Sequence, residues 1–254
     1  MAKVGGKGLF VKELEQALLE GTADLAVHSM KDVPGVLPAG LEISVVTPRE
    51  SPFDAFVSLK YRTIQDLPQG AIVGTSSLRR AAQLKYHRPD LVIRSIRGNV
   101  ETRLRKIEEG QYDATILATA GLKRLGLDDK ISERLPVSLM IPAVAQGVVG
   151  IETRQGDQQT LQWLHPLHDD STAACILAER TLLQVLEGNC QIPLAGYCTL
   201  EGTQLNLTAM VAHPEGTALI RHQATASKKD GEKLGQSVAD YLLRHGAKEI
   251  LTSL

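Results

Sequence analysis

A lysine and an aspartate stand side by side in His28-Ser-Met-Lys31-Asp32-Val-Pro34, directly after a short apolar stretch that reads as a strand. A carboxylate facing a crevice lined with cations can stabilise a developing positive charge or move a proton. The same pair would serve as a helix cap or a surface ion pair, and residue types alone leave both readings open. Two more polar segments carry cations. Gly74-Thr-Ser-Ser77-Leu-Arg79-Arg80 offers hydroxyls, a helix start and two arginines after a strand, which together make an anion site. Arg94-Ser-Ile-Arg97-Gly-Asn99 runs into a helix bearing Arg103 and Arg105. The planar guanidinium pairs bidentately with carboxylates, so several converging arginines point to a ligand carrying several of them. Arg105 repeats the exposed spacing of Lys106 and Glu109 and reads as a solvated helix residue.

Other chemistries find less support. The loops lack the GxxxxGK[ST] spacing of a nucleotide cradle, and no GxSxG elbow for a hydrolase is present. His165 and His168 flank a proline, and there is neither HExxH nor CxxC, so no metal is expected. Aromatic residues make up 4% of the chain and no basic stripe extends beyond these loops, which argues against nucleic acid. The 28 basic and 29 acidic side chains give a net charge of -1, so any basic site must be local. Cys175, Cys190 and Cys198 are an odd count, against a disulfide framework, and each taken alone reads as a small buried apolar residue. No apolar run approaches the ~20 residues of a bilayer crossing. The N-terminus lacks a secretory pattern, so a cytoplasmic protein without membrane partners is expected.

The elements that must position these groups follow from periodicity. In 254 residues, 43% of them apolar, there is room for one large or several small cores. A helix is predicted over 8–20, strands over 24–28 and 41–46, and then a regular β-α-β-α-β run: strands 71–74, 91–95 and 113–117 with helices 78–86 and 100–109. These strands are continuous aliphatic runs, as in a parallel sheet covered on both faces. The apolar stretch 141–152 reads as a return into the incomplete first sheet. Further on come an amphipathic helix over 171–187, a loop holding Cys190, and a three-strand meander over 195–200, 205–213 and 218–226. The middle strand of that meander is read as half-buried. A last helix over 228–245 covers it. In open α/β sheets ligands bind beyond the carboxyl ends of strands, which is where all three polar segments lie.

Five motifs in order, Lys3-Val-Gly-Gly-Lys-Gly-Leu-Phe10, His28 to Pro34, Gly74 to Arg80, Arg94 to Asn99 and Leu186-Glu-Gly-Asn-Cys-Gln-Ile-Pro193, closely resemble the porphobilinogen deaminase family. The resemblance spans essentially the whole chain. It implies an α/β protein with two lobes like those of periplasmic binding proteins plus a small α+β C-terminal domain. The expected division is 1–47 with 148–166, then 53–141, then 170–254. It implies a monomer that joins four porphobilinogen molecules head to tail, releases ammonia each time, and frees hydroxymethylbilane. Cys190 would hold a dipyrromethane cofactor through a thioether. Asp32 would be the catalytic carboxylate, stabilising the azafulvene cation formed as ammonia leaves, aided by Lys31. Lys31, Ser77, Arg79, Arg80, Arg97 and Arg103 would hold the carboxylates of cofactor and substrate. Lys7 and Phe10 fall where the family has a mobile loop over the site, and Gln146 falls near the crossing between lobes.

Family members carry a further N-terminal segment before the position of Met1, supplying strands, a helix, an arginine and a serine. The first lobe is therefore expected to be incomplete and unstable, and the chain poorly active. The alternatives are a bilobed binder that grips a polycarboxylate without transforming it, and a fragment without function of its own. The binder would have no use for a reactive thiol beside the crevice.

Overall fold

The computed structural model describes residues 6–186 and 192–253, with side chains from Val11 onward in the first helix. Helix α1 (Gly6–Leu19) buries Leu18 against Ala26 and Leu41. Strand β1 (Ala26–Ser29) passes into a 3-10 turn over Met30–Asp32, and β2 (Leu41–Val46) follows. The next unit holds β3 (Asp54–Val57), β4 (Ile72–Gly74), α2 (Leu78–His87), β5 (Val92–Arg94), α3 (Val100–Glu108), β6 (Ala114–Ala118), α4 (Thr119–Arg124) and β7 (Glu133–Arg134). Strand β8 (Val149–Arg154) and the helices α5 (Gln158–Leu164) and α6 (Asp170–Val185) come next. The chain then forms β9 (Leu194–Glu201), β10 (Gln204–Ala212), β11 (Leu219–Ser227), α7 (Gly231–Leu242) and α8 (Lys248–Thr252). No helix among the described residues is long and apolar enough to cross a membrane.

The apolar return does close the first sheet. Strand β8 lies between β1 and β2, antiparallel to both, with Val27 opposite Ile151 and Val46 opposite Gly150. Two crossing segments run side by side beneath it: Thr47 N–H donates to Val149 O at 3.0 Å, and Glu50 N–H to Gly147 O at 2.8 Å. Gly147 has φ +84°, and a Cβ there would come within 2.5 Å of Glu50 O, so only glycine lets the segments approach. A Cβ at Gly150 would collide with Met30, which lets that side chain seat the 3-10 turn on the sheet.

The second sheet differs from the all-parallel expectation. Its order is β5-β4-β6-β3-β7, with β5, β4 and β6 parallel but β3 antiparallel to both β6 and β7. Strand β3 has all four of its residues buried, but it opens on the charged Asp54, which leaves an apolar run too short to read as a strand. The third sheet is the expected antiparallel meander, β11-β10-β9. Its middle strand is buried on both faces rather than one. Leu205, Leu207, Ala209 and Val211 pack under α6 and α7, while Met210 and Ala212 pack with Ala82 of α2 and Ile141. Alternation appears instead on β11 at the sheet's edge. The last helix, expected over 228–245, opens with a 3-10 turn at Lys228–Asp230 and stops at a kink where Gly246 has φ +103°, and the short α8 follows the kink.

Candidate functional site

Strands β4 and β5 are adjacent and parallel, so their carboxyl ends and the helix starts that follow meet at one edge of the sheet. Thr75 N–H donates to Arg94 O at 3.0 Å. Ser76 Oγ lies 2.9 Å from Ser95 Oγ and donates to Ile96 O at 2.7 Å, and Tyr112 Oη donates to Ser95 O at 2.8 Å. Ser77 caps α2 by accepting from Arg80 N–H, and Asn99 Oδ1 caps α3 by accepting from Thr102 N–H at 2.8 Å. Two positive helix ends are thereby stapled together. Arg97 is exposed on this edge. Arg103 is half-buried, with Nε donating to Gly98 O at 2.9 Å. Burial pushes the Arg103 guanidinium down and the charge of Arg80 pushes it further, which marks a place short of negative charge.

Arg79 and Arg80 are buried rather than exposed on this edge. They are 4% and 7% exposed and both grip Asp54, the first residue of β3. Arg79 Nη1 donates to Asp54 Oδ2 at 2.7 Å and to Ile141 O at 2.7 Å. Arg80 donates to Asp54 Oδ1 from Nη2 at 2.7 Å and from Nε at 3.0 Å, and from Nη1 to Ile116 O at 3.0 Å. Sequence reasoning could not see this, because Asp54 lies outside every motif. One carboxylate against two guanidiniums still leaves one net positive charge behind the start of α2. Gln146 joins the same group, its Nε2 donating to Asp54 Oδ1 at 3.1 Å and to Pro52 O at 2.6 Å.

Burial alone would raise the Asp54 carboxyl, but the charges of Arg79 and Arg80 outweigh it and hold the group well below the usual carboxylate range. A depressed folded value means that its stabilisation is complete above the unfolded value, about 3.9, and is lost as pH falls through the folded value. Asp54→Asn should therefore lower stability at pH 7 and flatten the dependence on pH below about 4, as urea titrations across pH would show.

Lys31 and Asp32 are half-buried in the 3-10 turn at the end of β1. Met30 N–H donates to Val148 O at 3.0 Å and Val33 N–H to Met30 O at 3.2 Å, so both ends of the turn are held. Lys7 and Phe10 belong to the first turns of α1 rather than to a loop, and their side chains lie outside the described residues, as does Cys190. Cys175 and Cys198 are buried free thiols, and the hydrogen-bonding interaction in which Cys198 keeps its proton towards Cys175, together with burial, pushes Cys198 up. Among the described residues Arg105 pairs with its helix neighbour Glu109, at 3.6 Å on the surface. Among the described residues no cluster of three or more His, Cys, Asp or Glu side chains is placed to hold a metal.

Sequence reasoning passed over a second buried ion pair, between Arg49 of the first crossing segment and Glu179 of α6. Arg49 Nη1 donates to Glu179 Oε1 at 2.6 Å, and Arg49 Nε to Gln146 O at 2.9 Å. Glu179 also accepts from Ala145 N–H at 2.6 Å and Cys198 N–H at 2.8 Å. One carboxylate thus ties both crossing segments to the third sheet. A signal was present in the sequence: Glu179 falls on the apolar stripe of Cys175, Ala178 and Leu182, where a charge needs a partner.

Residues 1–162 match the family model described as "Porphobilinogen deaminase, dipyromethane cofactor binding domain", and residues 173–244 match "Porphobilinogen deaminase, C-terminal domain". The chain is 50% identical over 254 residues to the porphobilinogen deaminase of Nitrosomonas europaea, an alignment covering 100% of this chain and 82% of that protein. Among solved structures it is similar to a periplasmic substrate-binding protein of an ABC transporter from Coxiella burnetii, at TM-score 0.43 and 15% identity over 61% of this chain and 75% of that one. It is also similar to lipoprotein Tp32 from Treponema pallidum, at TM-score 0.43 and 15% identity over 61% and 74% of the two chains.

Proposed function

Because the chain belongs to the porphobilinogen deaminase family, we propose that it joins porphobilinogen units head to tail, with loss of ammonia, into hydroxymethylbilane for tetrapyrrole synthesis. The observation that carries this reading is the cationic edge where α2 and α3 begin. Porphobilinogen bears an acetate and a propionate arm on every ring, and a dipyrromethane doubles that charge. The half-buried Arg103, which feels the charge of Arg80 and forms no ion pair with a carboxylate among the described residues, is suited to such a ligand.

The residues take the following roles. Arg97 and Arg103, with the two helix starts, receive the carboxylate arms, and Ser77 holds its helix start in place. Arg79 and Arg80 act from behind, keeping one net positive charge under the site while Asp54 fixes their forks. Lys31 adds a cation beside Asp32, whose carboxylate stabilises positive charge on the pyrrole as ammonia departs and holds the pyrrole N–H in place. Gln146 bridges the crossing segment to Asp54 and so sets the relation between the two sheets. Lys7 and Phe10 contact substrate from α1. Cys190 carries the dipyrromethane, which when bound supplies the primer to which each new ring is joined.

The proposed division is 1–47 together with 148–166 as one lobe, 53–141 as the second, and 170–254 as the third unit. We further propose a cytoplasmic monomer. A bilobed binder would need the same cations but no thioether-linked primer, and the family match does not favour it.

Intact mass under denaturing conditions tests the assignment, since a thioether survives unfolding. The protein should carry an adduct of two linked pyrroles mapping to Cys190, and Cys190→Ser should show the bare polypeptide mass and lose turnover altogether. Turnover by Cys190→Ser at the parent rate would overturn the assignment of that residue.

A further inference from the structure

We infer that Glu152, acting with His28 and Arg180, is a positioning residue for the Lys31–Asp32 segment, an inference that rests on the role proposed above for Asp32. Glu152 lies on β8, the central strand of the first sheet, and is 0% exposed. His28, buried on β1 immediately before the segment, approaches it with Nε2 at 2.8 Å from Glu152 Oε2. A carboxylate can only accept, so the Nε2–H tautomer or the doubly protonated ring donates. On the other side of the segment, Arg180 of α6 donates from Nη2 to Pro34 O at 2.8 Å and to Gly35 O at 3.3 Å. The segment is therefore held at both ends, by His28 at its entry and by Arg180 at its exit.

Glu152 is the group common to the two ends. Its charge draws on Arg180, opposing the downward push of burial on that guanidinium. Glu152 Oε1 and Arg180 Nη1 are both buried and neither has a hydrogen-bond partner among the described residues, so Glu152 reaches Arg180 through its charge and not through a direct bond. Glu15 of α1 also faces this group. Burial and then the charge of Glu152 push its carboxyl up, while His28 and Lys12 pull it down. The exit of the segment sits directly on α6, since a Cβ at Gly35 would come within 3.4 Å of the Gln184 backbone. Helix α6 is also the element that leads towards Cys190. Arg180 therefore couples the placement of Asp32 to the helix that precedes Cys190 in the sequence.

The test uses Glu152→Gln, Arg180→Met and Arg180→Lys, with hydrogen exchange and single-turnover elongation as paired readouts. In both Glu152→Gln and Arg180→Met the amides of Met30 and Val33 should exchange about tenfold faster, while those of β10 keep the parent rate. Cofactor-loaded protein should elongate about tenfold more slowly with KM changed by less than about twofold, and Arg180→Lys should recover part of the rate. The double variant should be little worse than either single one, because the groups act as a unit. Parent exchange at Met30 and Val33 in the folded variants would overturn the inference, as would an equal rise at β10. A parent protein that makes no hydroxymethylbilane would instead remove the proposed function, while the exchange data would still decide whether the three side chains hold the segment. Should Glu152→Gln fail to fold, the half-exposed Arg180 variants decide on the same readouts.

Discussion

Asp32→Asn should lower the turnover rate of cofactor-loaded protein by about 10²–10³ while leaving the dipyrromethane adduct on Cys190 in place. The substitution keeps the size of the side chain and its capacity to accept a hydrogen bond but removes its charge. What is lost is the interaction with a cation that exists only as ammonia leaves, so the effect should fall on kcat, with KM little changed. The 3-10 turn that carries the residue is held through backbone groups of Met30 and Val33, so the fold should tolerate the change. Rapid-quench elongation followed by intact mass would measure each addition separately. Asp32→Glu tests geometry instead: it restores the charge at the wrong distance and should recover only part of the rate. Parent kcat in a fully loaded Asp32→Asn protein would rule out this carboxylate as the stabilising group.

Glu179→Ala should have the largest effect on stability, about 3–5 kcal/mol, lowering the melting temperature by on the order of 10 °C. Its carboxylate is 0% exposed and satisfies the Arg49 guanidinium and the amides of Ala145 and Cys198. Truncation leaves a buried cation and two buried N–H groups without an acceptor, and each carries a desolvation penalty. Arg49→Ala leaves the complementary fault, a buried carboxylate without its cation. The double variant should therefore lose much less than the sum of the two. Thermal unfolding of the four proteins gives this coupling directly, and additive losses would show that the pair is not the unit described here. Because Ala145 holds a left-handed backbone, φ 59°, with its N–H on Glu179, the crossing segments should loosen first. Proteolysis near 145–147 in Glu179→Ala, before cleavage elsewhere, is the expected sign.

Much of this was legible in the residues. The strand-loop-helix units around Thr75 and Ser95 could be read because parallel strands are continuous apolar runs and the cap residues Ser77 and Asn99 follow them directly. The return of 149–154 into the first sheet was legible because an apolar strand needs partners and the opening strands were too few to form a closed layer. Strand β3 was not legible, since it opens on the charged Asp54 and leaves an apolar run of only three residues, Ala55 to Val57. The double burial of β10 was also hidden, because packing of Met210 and Ala212 against Ala82 comes from another unit of the chain.

By itself, the sequence determined the elements, the order of the motifs, the family, and the set of cations a polycarboxylate would need. These depend on residues close in the chain, through period, capping and turn chemistry. Only the tertiary structure decided that Arg79 and Arg80 share Asp54, that Arg49 closes on Glu179, and that His28 on Glu152 and Arg180 on Pro34 bracket Lys31 and Asp32. A buried charge takes whichever partner the fold brings within reach, and the partners Asp54, Glu179 and Glu152 come from strands and helices far away in the chain.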